Sequence, residues 1–134
     1  MKSYSPKETM ALAGAFAREL QAGSLVLLEG PLGAGKTTFV RGALLALGHE
    51  GSVRSPSYNL IQLYETSPPV LHADLYRLES ATDLGLDEYA DTHITLVEWA
   101  ERDPDLATRE HTRVSIALGE GDERTIEIAP YSGT

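Results

Sequence analysis

The chain has 134 residues, 42% of them hydrophobic, so it is long enough for one domain with its own core. The absence of cysteine excludes disulfides and thiolate metal sites, and no apolar run approaches the roughly 20 residues of a membrane-spanning helix. Lys and Arg number 11 against 20 Asp and Glu, and this formal charge of −9 disfavours direct binding to nucleic acid. An acidic surface that only keeps the protein in solution explains the charge equally well. We expect one domain over residues 1–134.

The N-terminal segment predicts an amphipathic helix without a catalytic pattern. Ser5 is a suitable cap, Pro6 fits the first helical position and Glu8 completes a capping box. Gly23 is the expected end of the helix. Its apolar stripe is formed by Leu12, Ala13, Phe16, Ala17 and Leu20.

A phosphate-binding pattern follows this helix. Residues 25–28 are apolar and typical of a buried strand, and residues 30–37 match G-x-x-x-x-G-K-[ST] in full. Residues 38–47 have apolar side chains at helical spacing and are followed by Gly48. Strand, glycine loop and helix are the context in which this pattern binds phosphate, rather than forming an ordinary glycine-rich turn.

The chemistry of this loop follows from its residue types. Gly33 and Gly35 can adopt φ > 0, which turns main-chain N–H groups towards an anion at the start of a helix. Lys36 is expected to reach the β- and γ-phosphates, and Thr37 to offer its hydroxyl to Mg²⁺. The predicted nucleotide-binding residues of the loop are Gly33, Ala34, Gly35, Lys36, Thr37 and Thr38.

The segment 52–60 is polar and leads into a predicted strand at 60–65. Nucleotide switches often place a hydroxyl and a mobile loop directly after the phosphate-binding helix. Ser55 and Ser57 supply hydroxyls here, and Arg54 a cation. Composition alone nevertheless favours a proline-containing connection without a function.

Two further apolar segments, 70–74 and 94–99, each lead to an acidic residue. Asp74 ends the first and Glu98 lies near the end of the second, where α/β sheets bind their ligands. Both are candidates for binding Mg²⁺ and for positioning an attacking water. Either acid alone could be an ordinary carboxylate at a strand end. We interpret His72 as packed or hydrogen-bonded, and Trp99 as core or as stacked on a base or, preferably, on a partner protein.

The last part of the chain predicts a β-hairpin. Residues 112–118 and 124–128 alternate in hydropathy, and the glycine-containing segment 119–123 connects them. The predicted fold is α/β, a P-loop NTPase-like, mostly parallel sheet flanked by helices, with a C-terminal antiparallel hairpin that closes the sheet.

In chain order these segments resemble the TsaE family, small bacterial ATPases required for threonylcarbamoyladenosine modification of tRNA position 37. The resemblance covers roughly residues 5–130, and its specific parts are His72-Ala73-Asp74-Leu75-Tyr76-Arg77-Leu78 and Val97-Glu98-Trp99-Ala100-Glu101-Arg102. Ser55-Pro56-Ser57-Tyr58-Asn59-Leu60 and Gly85-Leu86-x-Glu88-Tyr89 also match.

The resemblance implies an ATPase that uses ATP and Mg²⁺ and binds the TsaB–TsaD complex. The acidic charge predicts that it meets tRNA only indirectly, and without an export signal or a long apolar run we expect a cytoplasmic location and no membrane association. It implies that Lys36 holds phosphates, that Thr37 and Glu98 bind Mg²⁺, and that Asp74 supports the metal or water. Ser55 to Ser57 would form the nucleotide-sensing loop, with Trp99 beside the site. The family usually has Asp where this chain has Pro31, and Thr where it has Ser57.

Three other classes share the P-loop. A small-molecule or nucleoside kinase also needs a second pocket, a lid and usually several arginines, for which this short chain has little room. A regulatory GTPase should contain Asp-x-x-Gly and Asn-Lys-x-Asp, and neither pattern occurs. A nucleotide-binding module without hydrolysis would not need the two strand-end acids.

Overall fold

The computed structural model describes residues 1–51, 53, 60–76 and 86–130. Its regular elements are β1 (Lys2–Ser3), α1 (Pro6–Ala17), β2 (Leu25–Glu29), α2 (Lys36–Ala46), β3 (Ile61–Tyr64), β4 (Val70–Asp74), β5 (Ile94–Glu98), β6 (Thr112–Leu118) and β7 (Arg124–Pro130). Short 3₁₀ helices cover Leu86–Tyr89, Ala100–Arg102 and Pro104–Thr108. Neither α1 nor α2 combines the length and hydropathy that a membrane span requires, and no other described helix does so.

The seven strands form one mixed sheet in the order β1-β7-β6-β2-β5-β4-β3. Its centre, β6-β2-β5-β4, is parallel, whereas β3, β7 and β1 pair antiparallel at the two sides. The α/β class and the β6–β7 hairpin are therefore confirmed, and the parallel arrangement holds for the centre. The prediction that the hairpin closes the sheet is wrong, because β1 lies outside β7. The sequence did not predict β1, because a strand of two residues is too short to show an alternating pattern.

Side chains of the central strands alternate between two layers of core. On β2, Val26 and Leu28 pack on the face covered by α1 and α2. Leu25 and Leu27 pack on the opposite face, against Leu71 of β4 and other apolar residues near the short 3₁₀ helices. Because successive side chains of a strand point to opposite faces, every second residue at the strand ends points towards α2.

Helix α1 begins at the expected residue and ends earlier, and the Glu8 carboxylate accepts from the N–H of Tyr4 rather than from that of Ser5. The Ser5 hydroxyl accepts from the Glu8 N–H at 3.1 Å, and Pro6 is the first helical residue. The helix ends at Ala17 rather than near Gly23, so that prediction is wrong. After Ala17 the chain tightens, with i→i−3 hydrogen bonds from the N–H groups of residues 19 and 20. Gly23 instead lies in the turn before β2, with φ of 96°.

Candidate functional site

The loop from Gly30 to Gly35 joins β2 to α2 and depends on glycine at both ends. A Cβ atom on Gly30 would lie 2.5 Å from the carbonyl oxygen of Ile116, so only glycine fits between the loop and β6. Gly35 caps α2 with φ of 105°, a left-handed conformation that other residues rarely adopt. The first N–H groups of α2, which have no partners within the helix, therefore open towards the loop.

A cavity of about 330 Å³ lies against this loop. The structure brings nine predicted residues to its wall: Gly33, Ala34, Gly35, Lys36, Thr37, Thr38, Asp74, Glu98 and Trp99, joined by Leu32 and Tyr76. The other predicted residues, Ser55 and Ser57, lie outside the described residues, as does Arg54.

Asp74 and Glu98 meet because their strands are neighbours in register. β4 and β5 run parallel with Asp74 opposite Glu98, and strand alternation directs both towards the α2 face. The Thr37 hydroxyl reaches the Glu98 carboxylate at 3.3 Å from Oε1 and 3.2 Å from Oε2. An acid and a hydroxyl from distant parts of the chain thus lie within hydrogen-bond distance.

His72 joins the same cluster from inside the protein. Its ring is 0% exposed, and its Nε2 lies 2.7 Å from Glu98 Oε2. The packed and hydrogen-bonded environment expected for this residue is present, but its connection to Glu98 was missed. The two-residue spacing of His72 and Asp74 on one strand does predict that they share a face, but it does not identify Glu98 of the neighbouring strand as the partner.

Lys36 lies under the indole ring of Trp99. Its Nζ donates to the carbonyl of Gly30 and is 3.5 Å from the centroid of the Trp99 ring. Trp99 has φ of 59°, the left-handed value that turns its side chain back over the loop, and its ring packs 4.9 Å from Tyr76. The ammonium group is held by a carbonyl dipole and an aromatic face.

Burial shifts the pKa values of two groups in the cavity. Desolvation lowers the pKa of Lys36 below its ordinary value, although Glu98, Glu101 and Asp74 favour its charged form. Desolvation also raises the pKa of the Asp74 carboxyl, and Glu98 adds to this, while the N–H of Tyr76 opposes it. Burial therefore disfavours the charged form of both groups.

Arg124 supports the loop from β7 and was not singled out by the sequence. Its Nε donates to the carbonyl of Ala34 at 3.0 Å and its Nη2 to that of Gly33 at 3.3 Å. Its Nη1 donates to the carbonyls of Gly121 and Glu123, both at 2.8 Å. These four contacts tie the glycine loop to the β6–β7 hairpin.

The residues present fit a phosphate chain and a hard metal ion. The loop offers main-chain donors and Lys36, while Thr37, Asp74 and Glu98 offer the oxygen ligands that Mg²⁺ prefers. Within the described part of the chain no group of three or more His, Cys, Asp or Glu side chains could hold a metal unaided. Mg²⁺ commonly binds through one or two carboxylates together with substrate phosphates, so this donor set suits a metal–nucleotide complex.

The chain matches one protein family over most of its length. A profile described as "Threonylcarbamoyl adenosine biosynthesis protein TsaE" matches residues 3–126. The tRNA threonylcarbamoyladenosine biosynthesis protein TsaE of Bacillus subtilis is 39% identical over 128 residues, covering 93% of this chain and 81% of that protein. Its counterpart in Rickettsia bellii is 39% identical and covers 92% of this chain and 90% of that protein. The crystal structure of Bacillus subtilis YdiB superposes with a TM-score of 0.86 at 34% identity, covering 98% and 84% of the two chains.

Proposed function

Because this chain belongs to the TsaE family of threonylcarbamoyl adenosine biosynthesis proteins, we propose that it is a Mg²⁺-dependent ATPase. In this proposal it binds the TsaB–TsaD complex and supports threonylcarbamoyl modification of adenosine 37 in tRNA, without carrying out the transfer itself. The observation that carries the proposal is the meeting of the glycine loop, Lys36, Thr37 and two strand-end acids around one cavity.

The loop and Lys36 would hold the phosphates. Main-chain N–H groups at the start of α2 and the helix dipole favour an anion there. The Lys36 ammonium would exchange the Gly30 carbonyl and the Trp99 ring for phosphate oxygens. At about 4 Å such an ion pair is worth roughly 1 kcal/mol in water and about 4 kcal/mol in a partly shielded site. Lys36 is therefore central to affinity.

The nucleoside would lie beside the phosphate cavity. A second cavity of about 180 Å³ shares Gly33, Ala34, Gly35 and Thr38 with the first and is bounded by α1 and the β6–β7 hairpin. Asp74, Glu98 and Trp99 line only the first cavity. We assign the γ-phosphate to the side with the acids and the nucleoside to the other side.

Thr37, Glu98 and Asp74 would serve the metal and the attacking water. When bound, Mg²⁺ would neutralise charge on the phosphate oxygens. Thr37 would offer its hydroxyl oxygen to the ion while keeping its proton directed at Glu98. Glu98 and Asp74 would orient and accept protons from water molecules in the cavity.

The charge of the protein supports a protein partner rather than direct contact with tRNA. A net charge of −9 repels a phosphate backbone, so tRNA would be met through TsaB–TsaD. Such a role places the protein in the cytoplasm with ATP and tRNA. Ser55 and Ser57 would belong to the segment that senses the nucleotide.

The test is ATP turnover of the wild type and of Glu98→Gln, each measured with and without purified TsaB–TsaD. We expect slow turnover alone and a clear rise with the complex. Glu98→Gln should still bind ATP but lose about 10²- to 10⁴-fold in turnover, the usual effect of removing a group that moves protons. Unchanged turnover in Glu98→Gln would remove the role proposed for this residue.

The same assay separates hydrolysis from a kinase reaction, the alternative with the same P-loop. Wild-type protein is incubated with labelled ATP, TsaB–TsaD and a panel of nucleosides and small alcohols. The proposal requires label in inorganic phosphate. Label transferred to an acceptor, with none in phosphate, would make this protein a kinase.

A further inference from the structure

The strongest unassigned contact beside the cavity is the one between buried His72 and Glu98, which lines the cavity. His72 lies on β4 with its ring on the α2 side of the sheet, two residues before Asp74, and is 0% exposed. Glu98 of β5 is 3% exposed, and the two side chains meet at 2.7 Å through His72 Nε2 and Glu98 Oε2. A buried carboxylate is costly unless its oxygens receive hydrogen bonds, so this contact matters to Glu98.

The direction of the hydrogen bond follows from the chemistry of the partners. When the Glu98 carboxylate is ionised it can only accept, and His72 Nε2 is then the donor. His72 Nδ1 is buried and has no hydrogen-bond partner among the described residues. The tautomer with the proton on Nε2 leaves only a lone pair unmet at Nδ1. The other tautomer would leave a buried N–H unmet and place the Nε2 lone pair against the carboxylate.

We propose that His72 is a positioning residue that holds the Glu98 carboxylate in the orientation needed to serve the metal. The hydrogen bond from His72 occupies Glu98 Oε2 on the side facing the protein interior. It thereby fixes the plane of the Glu98 carboxylate. The Thr37 hydroxyl approaches both oxygens more loosely, at 3.3 and 3.2 Å. Oε1 would therefore remain available on the side of the cavity, where Mg²⁺ would bind.

This inference rests on the proposed function, since it concerns the same site. In metal sites the groups that orient the ligands typically contribute about 10- to 100-fold to metal affinity. The effect of His72 should accordingly appear in how much Mg²⁺ improves nucleotide binding, and not in the binding of metal-free nucleotide by the loop and Lys36. If His72 only filled space, its substitution would not weaken nucleotide binding in Mg²⁺ while leaving the binding of metal-free nucleotide unchanged.

The experiment measures the Kd for ADP by calorimetry, in Mg²⁺ and in EDTA, for the wild type, His72→Leu and His72→Gln. We expect Mg²⁺ to tighten ADP binding to the wild type and His72→Leu to lose about 10- to 100-fold of that gain. Binding in EDTA should stay within a few-fold of the wild type. His72→Gln should recover most of the gain, because its amide can donate from nearly the position of Nε2.

Val70→Ala is the matched control for destabilisation. Val70 is equally buried and lies on the same face of β4. Its substitution should reduce stability and leave the gain from Mg²⁺ unchanged. An equal loss of the gain in Val70→Ala and His72→Leu would overturn the positioning role.

A second measurement needs no variant and no ligand. The ¹⁵N spectrum of the wild-type imidazole groups reports which ring nitrogen carries the proton. For His72 the inference requires a proton on Nε2, and a neutral ring with its proton on Nδ1 alone would overturn it.

The outcomes also separate this inference from the proposed function. A gain from Mg²⁺ that persists in His72→Leu contradicts the positioning role alone. A wild type whose ADP binding is unaffected by Mg²⁺ contradicts the proposed function and this inference with it.

Discussion

Lys36 is a cation that the fold keeps almost out of water. Its side chain is 5% exposed, with the Gly30 carbonyl and the Trp99 ring as neighbours. Burial disfavours the charged ammonium more than the nearby carboxylates favour it, so the pKa of Lys36 is lowered. A bound phosphate group would offset the free-energy cost of desolvating the Lys36 ammonium.

The lowered pKa of Lys36 gives a prediction for the ligand-free protein. Between that lowered pKa and the ordinary value of 10.5, the unfolded chain binds more protons at this site than the native state. Stability therefore rises with pH in this window. We expect the wild type to gain unfolding free energy relative to Lys36→Met as pH increases, measured by urea unfolding from about pH 7 to about pH 10 in EDTA.

The matched control for this comparison is Lys7→Met, which removes an exposed lysine of α1 and changes the net charge equally. A difference between wild type and Lys36→Met that stays constant or falls with pH would show that burial of Lys36 does not disfavour its charged form.

At the scale of elements, the position of α2 depends on how closely α1 approaches it. A Cβ atom on Gly42 would lie 2.4 Å from the carbonyl oxygen of Met10 and 2.5 Å from its Cα. Both contacts are with backbone, which cannot move aside as a flexible side chain can. Because α2 begins at the glycine loop, its packing on α1 also bears on the candidate site.

Gly42→Ala should therefore destabilise the protein, although alanine favours helices by about 1 kcal/mol over glycine. Overpacking typically costs about 1–3 kcal/mol, and the backbone contact places this site in the upper part of that range. We expect a net loss of about 1–2 kcal/mol in unfolding free energy, measured with urea.

The neighbouring exposed residue provides the control for that substitution. Arg41→Ala should change stability by less than about 0.5 kcal/mol. A stabilised Gly42→Ala would mean that helix propensity outweighs the close approach of the two helices.

The elements that could be predicted from the sequence are those with a local signal. The glycine loop, the strand before it, the capping of α1 by Ser5 and the alternation of β6 and β7 all depend on residues close in the chain. The link from His72 to Glu98 and the contacts of Arg124 depend on which strands become neighbours, which local patterns do not encode. The early end of α1 likewise reflects the turn that leads the chain into β2.

For the whole molecule, the distribution of charge favours a protein partner over nucleic acid. Several of the 11 basic residues already have acidic neighbours: Lys2 lies near Glu123, Arg109 pairs with Asp87, and Arg113 lies 3.2 Å from Glu29. Lys36 and Arg124 are engaged at the loop. These contacts are consistent with the proposal that tRNA is met through a partner protein.

The central claim is that the cavity at the start of α2 holds Mg-ATP, and unfolding with and without Mg-ATP tests it most directly. A ligand at about 100 times its Kd adds about 2.7 kcal/mol to the unfolding free energy. We predict a stabilisation of this size for the wild type and little or none for Lys36→Met. No stabilisation of the wild type, or equal stabilisation of Lys36→Met, would contradict the account.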